Sequence, residues 1–400
     1  MVFLFLLGGL SLSTVAYFKL RDVKASLQEV LQSYINGKIL IADAEVSFFP
    51  SGISLKGVEL YAPEAKEAAA IIPEANLSFD LLPLLQKKLE TSLEIQNPTV
   101  RLHQSRRGPS NMEQIFAPVL EDKKTSSGNL DELWWKRLAI DELTIRDGYF
   151  VSTQEGKKKK TELKKLNIQA DHIRFDSPDQ PADINISYQM AELSSEPLVI
   201  KSKMLFKEKE AVMALEEGAF LWGPIHLALG GQAHFPEEKQ KEVSLDFDFS
   251  GKDLDLAKIQ KFFKQEPSVQ GKVDVQGKVG GSAYSPVISA QIRSAHLQAK
   301  DISIQDFLAS LKKTKEPIEL TQLSLKVFEG QVEGRGQFDL EEKVAANLKL
   351  KLSSLSVAAM SDKKREEMPA LLNGDLHLKS SDVANPEKLT GSGPITVGPI

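Results

Sequence analysis

"SFFPSGISLKGVEL", residues 47–60, is the stretch on which the fold turns. Two phenylalanines run into Pro-Ser-Gly, and from Ile53 apolar and polar residues alternate. Pro and Gly favour the dihedrals of a tight turn, and a period of two puts every second side chain on one face of a strand. With "KILIADAEVSFF" before the turn and "ISLKGVELY" after it, the stretch reads as a β-hairpin, Gly57 breaking the alternation as a β-bulge would. Whether this hairpin opens an ordinary globular domain or something longer depends on the remainder of the chain.

The period of two continues almost to the C-terminus. "ANLSFDL" and "SLEIQNPTVRLH" come next, separated by "LPLLQKK", which reads as a short helical crossing. Residues 105–131 read as loop and linker. A second series begins at "LWWKRLAIDELTIRDGYFV", whose spacing of apolar residues resembles that of Leu93, Ile95 and Val100, a weak internal repeat. Further alternations run through Ile184, Ile186, Tyr188 and Met190, then Leu198, Ile200, Met204 and Phe206, then Ile225, Leu227 and Leu229. Gly-rich stretches such as "VGGSAY", "FEGQVEGRG" and "LLNGD" read as breaks between strands. Helical periodicity is confined to "DLAKIQKFF", "IQDFLASLKK", "SVAAMSDKKREEM" and an amphipathic segment at 21–36, where Val23, Leu27, Val30, Leu31 and Ile35 share one face.

The expected fold class is therefore mainly β: roughly eighteen to twenty strands with no helix-rich layer to cover them. Strict alternation makes one face of each strand apolar and the other polar, as in an antiparallel sheet wetted on one side. One continuous sheet of this kind would extend for about 90 Å and would twist and curl. Curled with its apolar face inward it makes a groove. Its lining would include Val243, Leu245, Phe247, Phe249, Val273, Val275, Ile288, Ile292, Leu323, Leu325, Leu348, Leu350 and Leu352. Such a lining needs an apolar occupant, acyl chains or another sheet. The alternative is two or three closed sandwiches or barrels, each filled by its own side chains.

The N-terminus bears on location. Residues 2–18, beginning Val2, Phe3, Leu4, Phe5, Leu6, Leu7, carry no charge and as a helix would measure about 26 Å. That is just enough for a transmembrane anchor with snorkelling ends. A cleaved signal peptide is the other reading, with Thr14 and Ala16 at its cleavage site but no basic residue ahead of the run. Lys19, Arg21 and Lys24 come after the span, and the positive-inside rule alone would leave the bulk of the chain in the cytoplasm.

Composition excludes several kinds of chemistry. A net charge of −5 gives no global attraction to nucleic acid. The absence of cysteine removes disulfides, thiolate metal sites and thiol nucleophiles. Six histidines, at 103, 172, 226, 234, 296 and 377, are scattered without metal-ligand spacing. "GRG" and "GSG" lack the lysine and the strand-turn-helix setting of a phosphate loop. Asp246 and Asp248 would mimic a glycosidase pair, but at i, i+2 on one strand they read as a solvated face. The run "KKKK" at 157–160, with Lys164 and Lys165, reads as a solvated hairpin tip or a contact for anionic head groups. Trp134, Trp135 and Trp222 read as core or interface residues. No enzyme, cofactor or metal site is expected.

"GKILIADAEVSFFPSGISLKGVELYAPE", after an apolar span and a short helix, resembles the N-terminal signature of the AsmA family of bacterial envelope proteins. The likeness continues through "SFDLLPLLQKKLETSLEIQNPTVRLHQSRRGPSNMEQIF". Near the other end "VFEGQVEGRGQFDL" is similar to the family's glycine-rich hairpin, with Glu329 in place of its first glycine, and "GDLHLKSSDVANPEKLTGSGPITV" resembles the segment after it. The resemblance implies an inner-membrane anchor at 1–20, an amphipathic helix at 21–36, and the first part of a β-groove at 37–120. A linker at 121–132 and a continuation of the groove at 133–400 would come next, truncated at the C-terminus relative to the family pattern. It implies a single-pass inner-membrane protein with its body in the periplasm, serving outer-membrane biogenesis. The expected partners are phospholipid or another envelope lipid, the inner membrane, and periplasmic or outer-membrane proteins, but no nucleic acid. Long curled sheets of this type look like those of bridge-like lipid transfer proteins, in which acyl chains lie in the trough at ~0.8 kcal/mol per buried methylene. The alternative function is a non-catalytic envelope scaffold that binds partners by its sheet edges.

Overall fold

The computed structural model describes residues 23–48, 51–80, 89–105, 108–117, 138–156, 160–174, 180–190, 194–207, 212–235, 242–283, 285–314, 317–339, 344–360, 370–383 and 386–399. The chain divides into two compact units, Met1–Lys207 and Glu208–Ile400. The apolar span at 2–18, the expected crossing at 82–88, Trp134, Trp135 and the linker at 121–132 lie outside the described residues. Among the described residues no helix is long and apolar enough to cross a membrane.

The first unit begins with α1 (Val23–Ser33), followed by β1 (Lys38–Phe48), β2 (Ser51–Tyr61) and β3 (Ala70–Phe79). Then come β4 (Leu89–Gln96), β5 (Thr99–Gln104), α2 (Asn111–Ile115), β6 (Leu138–Gln154), β7 (Thr161–Arg174), β8 (Ala182–Gln189) and β9 (Leu198–Lys207). β1, β2 and β3 are successive antiparallel neighbours, with Phe48 opposite Ser51 at the quoted turn. β4 and β5 fill one strand position, interrupted at Asn97 and Pro98, because β3 pairs with β4 beyond Glu74 and with β5 at Ala70 and Ile71.

The wholly antiparallel sheet expected from the alternation is corrected here. β6 runs parallel to both β4 and β5, so the sheet is mixed. The weak repeat explains the pairing: Leu93 lies opposite Leu143, Ile95 opposite Ile145 and Val100 opposite Phe150. A parallel neighbour cannot be reached by a hairpin, so the chain crosses over between β5 and β6, carrying α2. α2 starts with a capping box: the Ser110 hydroxyl accepts from Glu113 N while the Glu113 carboxylate accepts from Ser110 N at 2.6 Å. Asn111 ties it to β5, donating to Arg101 O at 2.7 Å and accepting from His103 N at 2.9 Å.

This unit is sealed at its N-terminal end. Leu27 and Leu31 of α1 and Ile115 of α2 are fully buried with Ile39, Leu55, Val58 and Leu93 from β1 to β4. Gln32 clamps the helix to the sheet, donating to Gly37 O at 2.8 Å and accepting from Ile39 N at 3.0 Å. Gly37 is required there: its φ is +134°, and a Cβ would sit 2.2 Å from Tyr61 O.

The second unit is a meander of β10 (Val212–Trp222), β11 (Ile225–His234), β12 (Ser244–Asp255), β13 (Val269–Ser282), β14 (Ser285–Ala299) and β15 (Ile302–Lys313). It continues with β16 (Ile318–Val327), β17 (Gly330–Asp339), β18 (Ala345–Ser356), β19 (Ala370–Ser380), β20 (Leu389–Ser392) and β21 (Ile395–Pro399). Each strand from β10 to β19 pairs antiparallel with the next, and β20 and β21 together cover β19. α3 (Leu256–Phe262) follows β12, and α4 (Val357–Met360) follows β18.

Two expectations for this unit are corrected. "IQDFLASLKK" is not a helix but β15. Asp306 sits in a bulge at φ 51°, where three residues of β15 span two of β16. The extra residue places Ile304 and Phe307 three apart on one face, which imitates a helical period. "FEGQVEGRG" does hold a break, at the Phe328–Glu329 turn between β16 and β17, but its later glycines Gly334 and Gly336 lie within β17, and "LLNGD" is not a break, since Gly374 lies within β19.

The bulges recur with one construction. Asp147, Asp253 and Ser354 take left-handed φ of 51°, 54° and 54°. Each backbone N–H donates to an Asx side chain on the next strand: Asn167 at 3.0 Å, Asp274 at 2.9 Å and Asn373 at 2.8 Å. At each, the bulged strand advances three residues while its partner advances two. Such bulges increase the local right-handed twist and bend the strand. They also keep the apolar set on the same face beyond the interruption.

Candidate functional site: an unsealed apolar face

Strand registers in the second unit align the apolar residues across the whole meander. One row of directly opposed residues begins at Gly218 and Leu229, passes through Phe249, Gly277, Ala290, Leu311, Leu320, Gly336, Leu348 and Leu378, and ends at Gly391. Every position is Gly, Ala, Leu or Phe. At ~4.8 Å per strand the row is about 48 Å long. A second row runs Gly251, Val275, Ile292, Ala309, Leu323, Gly334, Leu350, Leu376.

The glycines make this floor smooth. A Cβ on Gly277 would fall 2.3 Å from the Phe249 ring, one on Gly334 2.5 Å from Leu350 Cδ2, and one on Gly336 2.6 Å from Leu348 Cδ2. The bulky side chains thus lie across the glycines of the next strand instead of standing up from the sheet.

The expected lining residues fall on this face. Leu245, Phe247, Phe249, Val273 and Val275 share it with Ile288 and Ile292, and Leu323, Leu325, Leu348, Leu350 and Leu352 share it through β16 to β18. Val243 stands just before β12, its carbonyl accepting from Ala283 N at 2.8 Å. Alternation alone missed Gly277, Gly334, Gly336, Ala290 and Ala309, which complete the rows; their only signal was placement at strand period among bulky residues. The anchor residues Val2, Phe3, Leu4, Phe5, Leu6 and Leu7 lie outside the described residues.

Burial separates this face from the core of the first unit. Phe247, Phe249, Leu323, Leu348 and Leu350 are half-buried, whereas Leu27, Leu31 and Val58 are fully enclosed. The two rims also differ. At the rim where β12 and β18 end, α3 and α4 begin, and Leu254, Val273, Leu297 and Leu355 are buried. Trp222 packs there edge-on against Phe262 and Phe263, at 5.6 and 5.2 Å, with its indole Nε1 enclosed and without an acceptor among the described residues. Exposed apolar residues lie at both ends of the strands: Ile302, Met360 and Val397 at this rim, and Phe235, Ile288, Val344 and Leu389 at the opposite one, where β12 and β18 begin.

The polar face behaves as a hydrated surface. A cleft of about 820 Å³ is lined by Asp248, Gln276, Lys278, Gln291 and Ser310 among others. These groups satisfy one another: Lys278 pairs with Asp248 at 3.2 Å, and Gln276 donates to Gln291 at 2.9 Å. Asp248 of the carboxylate pair is therefore engaged by a lysine, with both side chains mostly exposed. His103 meets Thr153, His172 meets Asp183 at 4.0 Å, His226 meets Gly223 O and His377 meets Asn347, each on a separate part of the fold. Of the lysine run, residues 157–159 lie outside the described residues. Lys160 and the nearby Lys164 share Glu162, at 2.5 and 3.6 Å; their ammonium groups, Lys160 foremost, hold its carboxyl below the usual range.

A sequence model of the AsmA family matches residues 1–219. The chain belongs to the AsmA family. No curated protein matches it. The matched part holds the sealed α1–β1–β2 core and the parallel β4–β6 pair of this AsmA-family chain, and it ends within β10.

Proposed function

We propose that this protein is anchored in the inner membrane and extends into the periplasm, where it carries acyl chains of envelope lipids on the apolar face of its second unit in support of outer-membrane biogenesis. It acts by binding, without catalysis. The observation that carries this reading is the row from Gly218 to Gly391: an unbroken apolar floor, about 48 Å long, whose large side chains are only half-buried. Exposed apolar area of that extent is unfavourable in water and marks a surface that is covered when the protein works. Acyl chains fit because the floor offers no complementary polar pattern, only a smooth surface gaining ~0.8 kcal/mol for each fully buried methylene. Membership of the AsmA family supports an envelope role.

The test is mass spectrometry of lipids that co-purify with the full chain, beside Phe247→Glu and Leu350→Glu variants. Stoichiometric phospholipid in the parent, lost in folded variants, is the expected result. Lipid-free, stable, monomeric parent protein would overturn it. A scaffold that binds partner strands is the second reading, favoured by Leu389, Ile395 and Val397, more than half exposed on β20 and β21. Among the described residues the outer edges of those strands pair with nothing.

A further inference from the structure

On the polar face of the second unit, charges directly opposed across neighbouring strands are matched in sign. Asp248 faces Lys278, Asp255 faces Lys272, Asp274 faces Arg293, Lys312 faces Glu319, and Lys351 stands between Glu333 and Asp375. In the registers from β10 to β21 one pair breaks this rule: Arg335 of β17 lies directly opposite Lys349 of β18. Like charges so placed, with Cβ atoms about 5 Å apart, destabilise a sheet. His377 of β19 comes next along the same line, and Ser392 of β20 after it. Arg335 and Lys349 are both exposed, and among the described residues neither has an ion pair or a side-chain hydrogen bond. They border a cleft of about 700 Å³. One wall of it carries Glu333, Lys351 and Asp375; the other, two residues away along each strand, carries Arg335, Lys349 and His377. In the row beyond, Lys379 adds a cation, and Glu319 lies opposite Lys312.

We propose that this cleft binds a phosphorylated sugar or polyol, its phosphate held between Arg335 and Lys349. The site lies on the face of the sheet opposite the apolar floor and stands whether or not the floor takes acyl chains. Two adjacent cations without acids between them call for a dianion, which a phosphate monoester supplies and a carboxylate or chloride does not. The guanidinium of Arg335 is a planar fork that takes two phosphate oxygens, and the Lys349 ammonium is a point charge suited to a third. Bound phosphate turns the repulsion across β17 and β18 into two attractive contacts. The facing wall defines the rest of the ligand. The carboxylates of Glu333 and Asp375 accept hydrogen bonds and donate none, so the part of the ester that reaches them carries hydroxyl groups. Glu333 already accepts from Gln331 Nε2 at 3.1 Å, which leaves its second oxygen for such a hydroxyl. The shared chemistry is that of a free sugar phosphate and of a lipid with a phosphorylated sugar head group.

The experiment is a series of thermal melts of the full chain in rising glucose 6-phosphate, against sodium chloride at equal ionic strength. A ligand of the native state raises the melting temperature with its concentration, which gives a dissociation constant. Glucose 6-phosphate is expected to stabilise the parent beyond the chloride control. Arg335→Gln and Lys349→Gln should each weaken it about tenfold, the worth of one charge-assisted hydrogen bond. Without ligand both variants should melt no lower than the parent, because the like-charge contact is gone. Lys312→Gln, on the same face but outside the cleft, should bind as the parent does. Equal shifts in chloride and glucose 6-phosphate, binding indifferent to Arg335→Gln and Lys349→Gln, or an equal loss in Lys312→Gln overturns the site. Inorganic phosphate bound as tightly as glucose 6-phosphate overturns the sugar or polyol assignment. Dibutanoyl phosphatidylinositol 4-phosphate separates the sources. Affinity equal to that of glucose 6-phosphate supports a free sugar phosphate as the ligand. Affinity tenfold higher, and lost in Arg335→Gln, supports a lipid head group.

Discussion

Single residues set how flat and how strongly bent the second unit is. Gly277 and Gly336 lie beneath Phe249 and Leu348, so a valine at either position would force those side chains or the adjacent carbonyl aside. Gly277→Val or Gly336→Val should destabilise the fold by about 1–3 kcal/mol, the usual range for overpacking, measured by urea denaturation. Ser354 presents the opposite case. It holds φ 54° without the freedom of glycine, while Asn373 accepts its N–H. Ser354→Gly should therefore stabilise by about 1 kcal/mol, and Asn373→Ala should cost about 1 kcal/mol by leaving that N–H unpaired. A double-mutant cycle separates strain from hydrogen bond. None of these roles is visible in composition, because a glycine within a strand and a glycine in a turn look the same until the partner strand is known.

At the scale of elements, alternation identified most strands, and its failures have a common cause. β15 imitated a helix because the bulge at Asp306 shifts its apolar period by one residue. β17 and β19 were divided at glycines that lie on the floor. The parallel β4–β6 pair was foreshadowed only by the repeated apolar spacing, since a strand's period carries no sign of its direction. α3 was legible from "DLAKIQKFF", and its position makes it a closure for one rim, packing Leu256 and Ile259 with Leu254, Val273 and Leu297. Ile259→Ala should loosen that rim: faster amide exchange is expected at the start of β13 and the end of β14, with the distant β17 and β18 unchanged. Uniform protection across all strands would contradict the closure.

For the whole molecule, the two units should respond differently to the same substitution. Leu55 and Leu31 are enclosed, so Leu55→Ala or Leu31→Ala should cost about 2–5 kcal/mol. Leu348 is half-buried on the floor, and Leu348→Ala in lipid-free protein should cost ~1 kcal/mol, since part of its surface is already in water. With lipid bound, the gap between the two kinds of variant should narrow, because the floor is then covered. Thermal melts of lipid-free and lipid-loaded protein read this directly. By itself the sequence determined the fold class, the apolar identity of one sheet face and the family, because a period of two and the succession of turns are local properties. It left open whether that face closes on its own side chains. Only the tertiary structure decided this, through pairing registers that align residues far apart in the chain and through helices set at one rim. These depend on which strands meet and in which register, and no local pattern encodes that.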